Sequence, residues 1–417
     1  MREVGWSENE RLAWQRPEQL LQADALEVVL GASHACWPGF LFGRAARASG
    51  HDTARARVVA VQREALKGGV SGAHLERLLV EVVNQPASGQ RSVIVPLIFK
   101  RMRPEQSWLM RSSGDVSCRE VQLWRHGLLA DVPVALCVPV LAAAYDEERE
   151  EGALLLADVS RWLGTLDDCF ASAPLDQVTR YLDHLARLHA HYWQDARLSD
   201  ARFALASVEQ ALLMLAPAAV EAQLAAGDAH PYLPVSRAGW NAFFRYGPAA
   251  ALERIQRVFA APPAFLASAA EAPATLVHGD AWPANIGLLP GERSFGGTHT
   301  GSRTILIDWA LATAGPATFD PFWLLFAWRK VDTRRALVHY RTRLTWHLAR
   351  RGIHLSAAQW RLLVDLGIVR TVMACGETMG QDILFARNVA QQARAIAALA
   401  WWAGWAARVI ERRGWDR

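Results

Sequence analysis

Lysine is almost missing from this chain: Lys67, Lys100 and Lys330 are the only three among 45 basic side chains, the rest being arginine. Each surviving lysine is therefore informative, because an ammonium is a compact point charge that the planar guanidinium fork does not replace. Cysteine is sparse too. Cys36, Cys118, Cys137, Cys169 and Cys375 are odd in number, widely spaced and never paired as C-x-x-C, which argues against both a disulfide framework and a zinc site. A reducing cytoplasm is the expected compartment. Long apolar runs are also missing. The most membrane-like window, "AIAALAWWAGWAARVI" (395–410), holds 13 uncharged residues before Arg408, short of the roughly 18 to 20 that a spanning helix needs. The opening "MREVGWSENERLAWQRPEQ" has no apolar core of a secretory signal.

At 417 residues, 52% of them hydrophobic, the chain can bury a sizeable core and exceeds the usual size of one domain. The net charge of +4 does not mark an acidic partner. Its arginines are scattered through helical stretches and not gathered with aromatics, so nucleic acid binding is not expected.

Residues 18–30, "EQLLQADALEVVL", carry leucines at helical spacing. The runs 56–66, 73–83 and 92–99 are rich in β-branched residues and separated by "KGGVSG" and "NQPASGQ", the pattern of antiparallel strands joined by glycine turns. Helical spacing returns at 118–129, followed by two strand-like runs at 133–145 and 152–160. From about residue 160 the chain reads as helical, with candidate helices at 174–193, 336–352, 356–375 and from about 384. Only 286–289 and 303–307 interrupt it as strand-like segments. The expected fold class is α+β, with a small antiparallel β lobe over residues 1–157 and a larger helical lobe over 158–417.

One constellation carries chemistry. "LVHGDAWPANIGLL" (276–289) sets His278, Gly279, Asp280 and Asn285 between apolar runs, and "TILIDWALATAGPATFDP" follows with Asp308 after a strand. A hairpin over this region brings Asp280, Asn285 and Asp308 to one end. Two carboxylates and an amide oxygen are hard ligands suited to Mg²⁺ that keeps water and phosphate oxygens, which is the chemistry of phosphoryl transfer. The plainer alternative is a polar turn between two buried strands.

At these residues the sequence resembles the aminoglycoside phosphotransferase and choline kinase-like superfamily, which shares the protein-kinase fold. The family's catalytic loop, H-G-D-x4-N, stands here as "HGDAWPAN", and its metal-binding strand end as "IDWA". "GPATFDP", with Asp320, and the helix ending "LARLHAHYW" extend the likeness, which covers roughly residues 55–330. The resemblance implies a two-lobed protein-kinase-like fold. It implies that Asp280 orients the proton of an acceptor hydroxyl, that Asn285 and Asp308 hold Mg²⁺ on the phosphates of ATP or GTP, and that His278 and Asp320 support the loop. It also matches Lys100, which ends the run "VIVPLIF", to the lysine that binds the nucleotide phosphates, and Glu120 to its glutamate partner.

"KGGVSGAH" stands where the phosphate-covering loop belongs, so Gly68, Gly69, Ser71 and Gly72 are candidate backbone and hydroxyl donors, although a glycine-rich hairpin turn has the same composition. Leu156, Ala157 and Asp158 in "LLLADVS" would form the hinge whose backbone meets adenine. The expected partner is a small-molecule alcohol. Fourteen arginines against six acids over 331–417 mildly disfavour a polycationic aminoglycoside, and the leader and "LHAHYW" look more like the ecdysteroid-kinase-like branch. The 18 tryptophans are expected mainly in packing. Two rivals remain: a pseudokinase that binds nucleotide without turnover, and a metal-dependent hydrolase, for which "WALATAGPATF" offers no further ligand.

Overall fold

The computed structural model describes residues 14–36, 57–66, 72–83, 92–165, 175–291, 301–328 and 331–417. Its first half is a five-stranded antiparallel sheet in the order β1-β2-β3-β6-β5, from β1 (Arg57–Leu66), β2 (His74–Val83), β3 (Ser92–Met102), β5 (Val140–Asp146) and β6 (Glu151–Ala157). Alternation decides which faces are covered. In β2, Leu78, Val80 and Val82 are buried between more exposed neighbours, whereas β5 and β6, written "VLAAAYD" and "EGALLLA", are buried almost throughout because both faces are covered.

One face packs on the leader. Leu20, Leu26, Val29 and Leu30, from the turn Pro17–Leu21 and the helix Ala23–Cys36, share a cluster with Leu97, Phe99, Leu141 and Leu155. The other face receives the helix Arg119–Arg125, whose Val121 and Trp124 join Leu154 and Leu156 in the main core of the helical lobe. The two lobes thus share one apolar core. The helix expected at 118–129 is shorter than its spacing suggested, and a further short helix, Trp108–Ser112, precedes it.

A backbone link joins the lobes as well. The two-residue strand β4 (Leu136–Cys137) pairs in parallel with β9 (Arg303–Leu306), which pairs antiparallel with β8 (Ile286–Leu289). The hairpin expected at 286–289 and 303–307 is therefore present, with β4 as its third strand. The structure corrects one expectation: 286–289 and 303–307 are not the only strands of the second half. β7 (Ala274–Val277) pairs antiparallel with β10 (Thr313–Pro316). "ATLV" and "TAGP" are too short and too poor in alternation to register as strands, and their pairing spans the whole loop that they flank.

Long helices complete the lobe: Leu175–His191, Tyr232–Tyr246, Thr333–Ala349, Ala357–Leu384 and Val389–Arg413. Ser356 and Gln359 form a reciprocal capping box that starts Ala357–Leu384, and the Asn388 side chain accepts the N–H of Gln391 to start the last helix. None of the helices among the described residues is long and apolar enough to cross a membrane.

Glycines let the helices Tyr232–Tyr246 and Ala357–Leu384 touch backbone to backbone. A Cβ at Gly380 would overlap the carbonyl oxygen of Gly239. Gly380→Ala should lower the melting temperature and cost about 2 kcal/mol or more, the scale of overpacking against a backbone that cannot yield. Gly404, whose Cβ would meet only the Arg408 guanidinium at 3.5 Å, is the control: its alanine variant should gain up to about 1 kcal/mol of helix propensity. Thermal unfolding of both variants checks this, and equal shifts would refute the packing account.

Candidate active site

Lys100 near the end of β3, Glu120 in the helix Arg119–Arg125 and Asp308 just after β9 are brought together across more than 200 residues of chain. The Lys100 Nζ donates to Glu120 Oε2 at 2.6 Å and to Asp308 Oδ1 at 3.0 Å. Glu120 is bound on its other side too, its Oε1 accepting the backbone N–H of Trp309 at 3.2 Å. Burial opposes the lysine's charge, yet the carboxylates of Asp308 and Glu120 raise its pKa above the ordinary lysine value. Burial likewise works against the charge of Asp308, and Lys100 overcomes it, holding that carboxyl below the usual range. Asp308 takes a left-handed backbone, φ +63°, which aspartate tolerates better than most residues.

The loop between β7 and β8 is held from beneath. Asp320, fully buried, accepts the backbone N–H groups of His278 and Gly279, each at 2.9 Å, and bonds His189 Nε2 at 3.0 Å. His189 belongs to "LARLHAHYW", which gives that helix ending a physical role. His278 Nε2 bonds the carbonyl of Ile307 at 2.9 Å, tying the loop to the residue before Asp308. Gly279 has φ +85°, and a Cβ there would run into the carbonyl oxygen of Leu311, so only glycine fits between His278 and Asp280.

Asp280 follows that turn. The Asn285 amide nitrogen donates to its Oδ2 at 2.8 Å and to its carbonyl at 3.2 Å. Asn285 closes a 3₁₀ turn, Pro283–Asn285, just before β8, and its carbonyl accepts the N–H of Ile307 at 3.1 Å. Burial, and then the negative charge of Asp308, push the Asp280 carboxyl up to about 7, against the opposing pull of Arg370 and Asn285. Such mutual repulsion is the chemistry of a donor set that a divalent cation would relieve, and the two carboxylates with the Asn285 amide oxygen fit Mg²⁺ in type. Among the described residues no three His, Cys, Asp or Glu side chains gather as a metal site.

The other expected residues divide. Gly68, Gly69 and Ser71 lie outside the described residues. Gly72, with φ +85°, abuts the backbone of Gln106 and Ser107. Leu156 and Ala157 are buried in β6. The N–H of Ala157 is donated to Pro139 at 2.9 Å and that of Asp158 to Pro96 at 3.3 Å, so a base edge meeting this strand would use its other backbone groups. The Asp158 carboxylate accepts from Arg77 Nε at 3.0 Å and from the Ser160 hydroxyl at 2.6 Å.

Two arginines went unnoticed in the sequence. Arg119, 1% exposed, donates to the carbonyls of Ala204 at 2.5 Å, Ser113 at 3.2 Å and Ala310, locking Glu120's helix onto the segment after Asp308. Arg370 donates to the carbonyl of Gly279 at 3.1 Å. A lone arginine in the apolar run "GIVRTVMAC" was the available signal for Arg370; nothing in the sequence marked Arg119.

Residues 234–354 match the family model described as phosphotransferase enzyme family. This segment resembles the phosphotransferases. It contains His278, Asp280, Asn285, Asp308 and Asp320, and the match agrees with the resemblance drawn from "HGDAWPAN" and "IDWA". No curated protein matches the sequence. Similar solved structures include the GDP and kanamycin complex of APH(2")-IIia, at 15% identity and TM-score 0.43 over 82% of this chain and 93% of that one. A microcompartment-associated aminopropanol kinase has 16% identity and TM-score 0.40 over 85% and 94%. An ethanolamine kinase of Plasmodium vivax has 11% and 0.37 over 94% and 95%. The observed architecture is the expected α+β arrangement, an antiparallel five-stranded sheet followed by a larger helical part.

The raised pKa of Asp280 has a consequence for stability. An acid whose pKa rises on folding, here from 3.8 to about 7, binds more protons folded than unfolded within that window. Its ionisation therefore costs stability as pH rises through the window, and costs it fully above. In metal-free protein with chelator, Asp280→Asn should raise the melting temperature at pH 8, with the gain fading towards pH 4. An equal shift at both pH values would mean that Asp280 titrates normally.

Proposed function

We propose that the protein is a Mg²⁺-dependent kinase that transfers the γ-phosphoryl group of ATP, or of GTP, to a hydroxyl of a small molecule. The observation that carries this is the buried Lys100 ammonium held at once by Glu120 and Asp308, beside an H-G-D-x4-N loop within a phosphotransferase-family match. Residues 1–157 would hold the nucleotide and residues 158–417 would build the acceptor pocket.

Lys100 would bind the nucleotide phosphates, its ammonium oriented by Glu120. Asp280 accepts the proton of the acceptor hydroxyl as the hydroxyl oxygen bonds to the γ-phosphorus, and the bond to the nucleoside diphosphate breaks in line. Asn285 and Asp308 would hold Mg²⁺, which neutralises phosphate charge when bound. Gly72 and the hinge from Leu156 to Asp158 would frame the nucleotide. Nearly all the catalysis expected here is positioning and charge placement.

For the acceptor, an apolar alcohol is favoured over a polycation. A cavity of about 380 Å³ is lined mainly by apolar side chains, Phe326, Met379, Trp401 and Trp402 among them, together with Asp332, Arg334 and Asp382, and the Phe326 ring lies 6.3 Å from Trp282 of the catalytic loop. The buried free thiols of Cys118, Cys137 and Cys375 suit a reducing cytoplasm, which we take as the location.

The test is phosphate transfer from labelled ATP, with GTP in parallel, to a panel of alcohols, or to water where no acceptor responds. Asp280→Asn should bind Mg²⁺-ATP nearly normally yet lose about a hundredfold or more in kcat, as removal of a positioned base implies. Asp308→Asn should weaken nucleotide binding in the presence of Mg²⁺ and leave metal-free binding little changed. Metal-dependent nucleotide binding by wild type without any turnover would replace the kinase by the pseudokinase.

A further inference from the structure

Arg370 sits in the helix Ala357–Leu384 and is 2% exposed. Its guanidinium lies 4.4 Å from the ring centroid of Trp323 and 5.4 Å from that of Phe319. One donor, Nη2, reaches the carbonyl of Gly279 at 3.1 Å. Its Nε and Nη1 are buried and meet no acceptor among the described residues.

Stability does not account for an arginine in this slot. A buried cation with one satisfied bond is costly, and stacking on two rings offsets only part of that cost. A methionine would fill the same aromatic slot with no buried charge. What the guanidinium touches is the carbonyl of the left-handed glycine immediately before Asp280, and its charge favours the ionised Asp280 carboxylate. Asp320 fixes the N–H groups of this turn from one side; Arg370 fixes its carbonyl from another.

We propose that Arg370 is a positioning residue for phosphoryl transfer: it holds the Gly279 carbonyl and sets a fixed positive charge beneath Asp280, so that the carboxylate stays aimed at the acceptor hydroxyl. The inference rests on the kinase reading above. It assigns a role to a side chain some 90 positions downstream of the loop and outside the matched segment.

The experiment compares Arg370→Met and Arg370→Lys with wild type in the full chain, measuring kcat, acceptor KM, Mg²⁺-ATP affinity and melting temperature. Arg370→Met should lower kcat by about ten- to a hundredfold, the scale of a small misplacement of a catalytic group. Acceptor KM and nucleotide affinity should hardly move, and the melting temperature should hold or rise. Arg370→Lys should recover part of kcat, since it restores the charge without the fork. Unchanged kcat in Arg370→Met would overturn the proposal. So would a parallel fall in kcat, nucleotide affinity and melting temperature, the pattern of a merely structural arginine. Should Arg370→Met not fold, Arg370→Lys decides alone: its kcat must drop while affinity and melting temperature hold. A wild type without turnover overturns the kinase reading itself, and this proposal with it, and that outcome is visible before any variant is made.

Discussion

The buried contact of one ammonium with two carboxylates organises the molecule. Lys100 comes from the middle of a sheet, Glu120 from the helix on its inner face and Asp308 from the end of a strand in the other lobe. Removing Lys100 would leave two buried carboxylates without compensation, and breaking a buried ion pair in this way typically costs about 3 to 5 kcal/mol. The contact is therefore a conditional one. It is favourable only while β3, the helix Arg119–Arg125 and β9 keep their places, and the fold spends much of its structure on that. β4 stitches the first lobe to β9, Arg119 ties Glu120's helix to the backbone after Asp308, and a continuous apolar core runs beneath both.

The charge count at this point also has a direction. One ammonium faces Glu120 and Asp308, and Asp280 adds a third carboxylate within reach of Asp308's field. The set carries one or two negative charges beyond neutrality, in surroundings that oppose charge. A divalent cation corrects an excess of this sign and size, whereas a further lysine would compete with Lys100 for the same oxygens. The scarcity of lysine acquires meaning here: a guanidinium in place of Lys100 would present a wide fork where two carboxylates from different elements need one compact charge between them.

Much of this was legible in the sequence. Strands β1, β2 and β3 announced themselves by β-branched runs between glycine-rich turns, β6 by an apolar run after an acidic turn, and the hairpin of Asn285 and Asp308 by two apolar runs closing on polar residues. The spacing of His278, Asp280 and Asn285 was readable because a tight loop leaves few alternatives. β7 and β10 were not, since four-residue strands carry no period and their pairing is decided by the loop that they enclose. Arg119 and Arg370 were hidden for a different reason. Each acts through backbone carbonyls, and a carbonyl has no sequence signature, so only the folded chain reveals which arginine it receives. The spent N–H groups of Ala157 and Asp158 belong to the same class: hydrogen bonding of a strand end depends on the register of its neighbours.

Several locally unfavourable features crowd into this one region. Asp308 holds a left-handed backbone, Gly279 admits no side chain, Asp280 carries a pKa near 7 and Arg370 is buried with donors unmet. Elsewhere the helices Val208–Leu213 and Ala357–Leu384 begin with capping boxes, and apolar faces meet apolar faces. Strain that clusters around one loop marks a place where stability has been exchanged for arrangement. Here two carboxylates stand opposed and a buried cation is half satisfied, terms that phosphate oxygens together with a divalent ion would relieve if the proposed kinase reading holds.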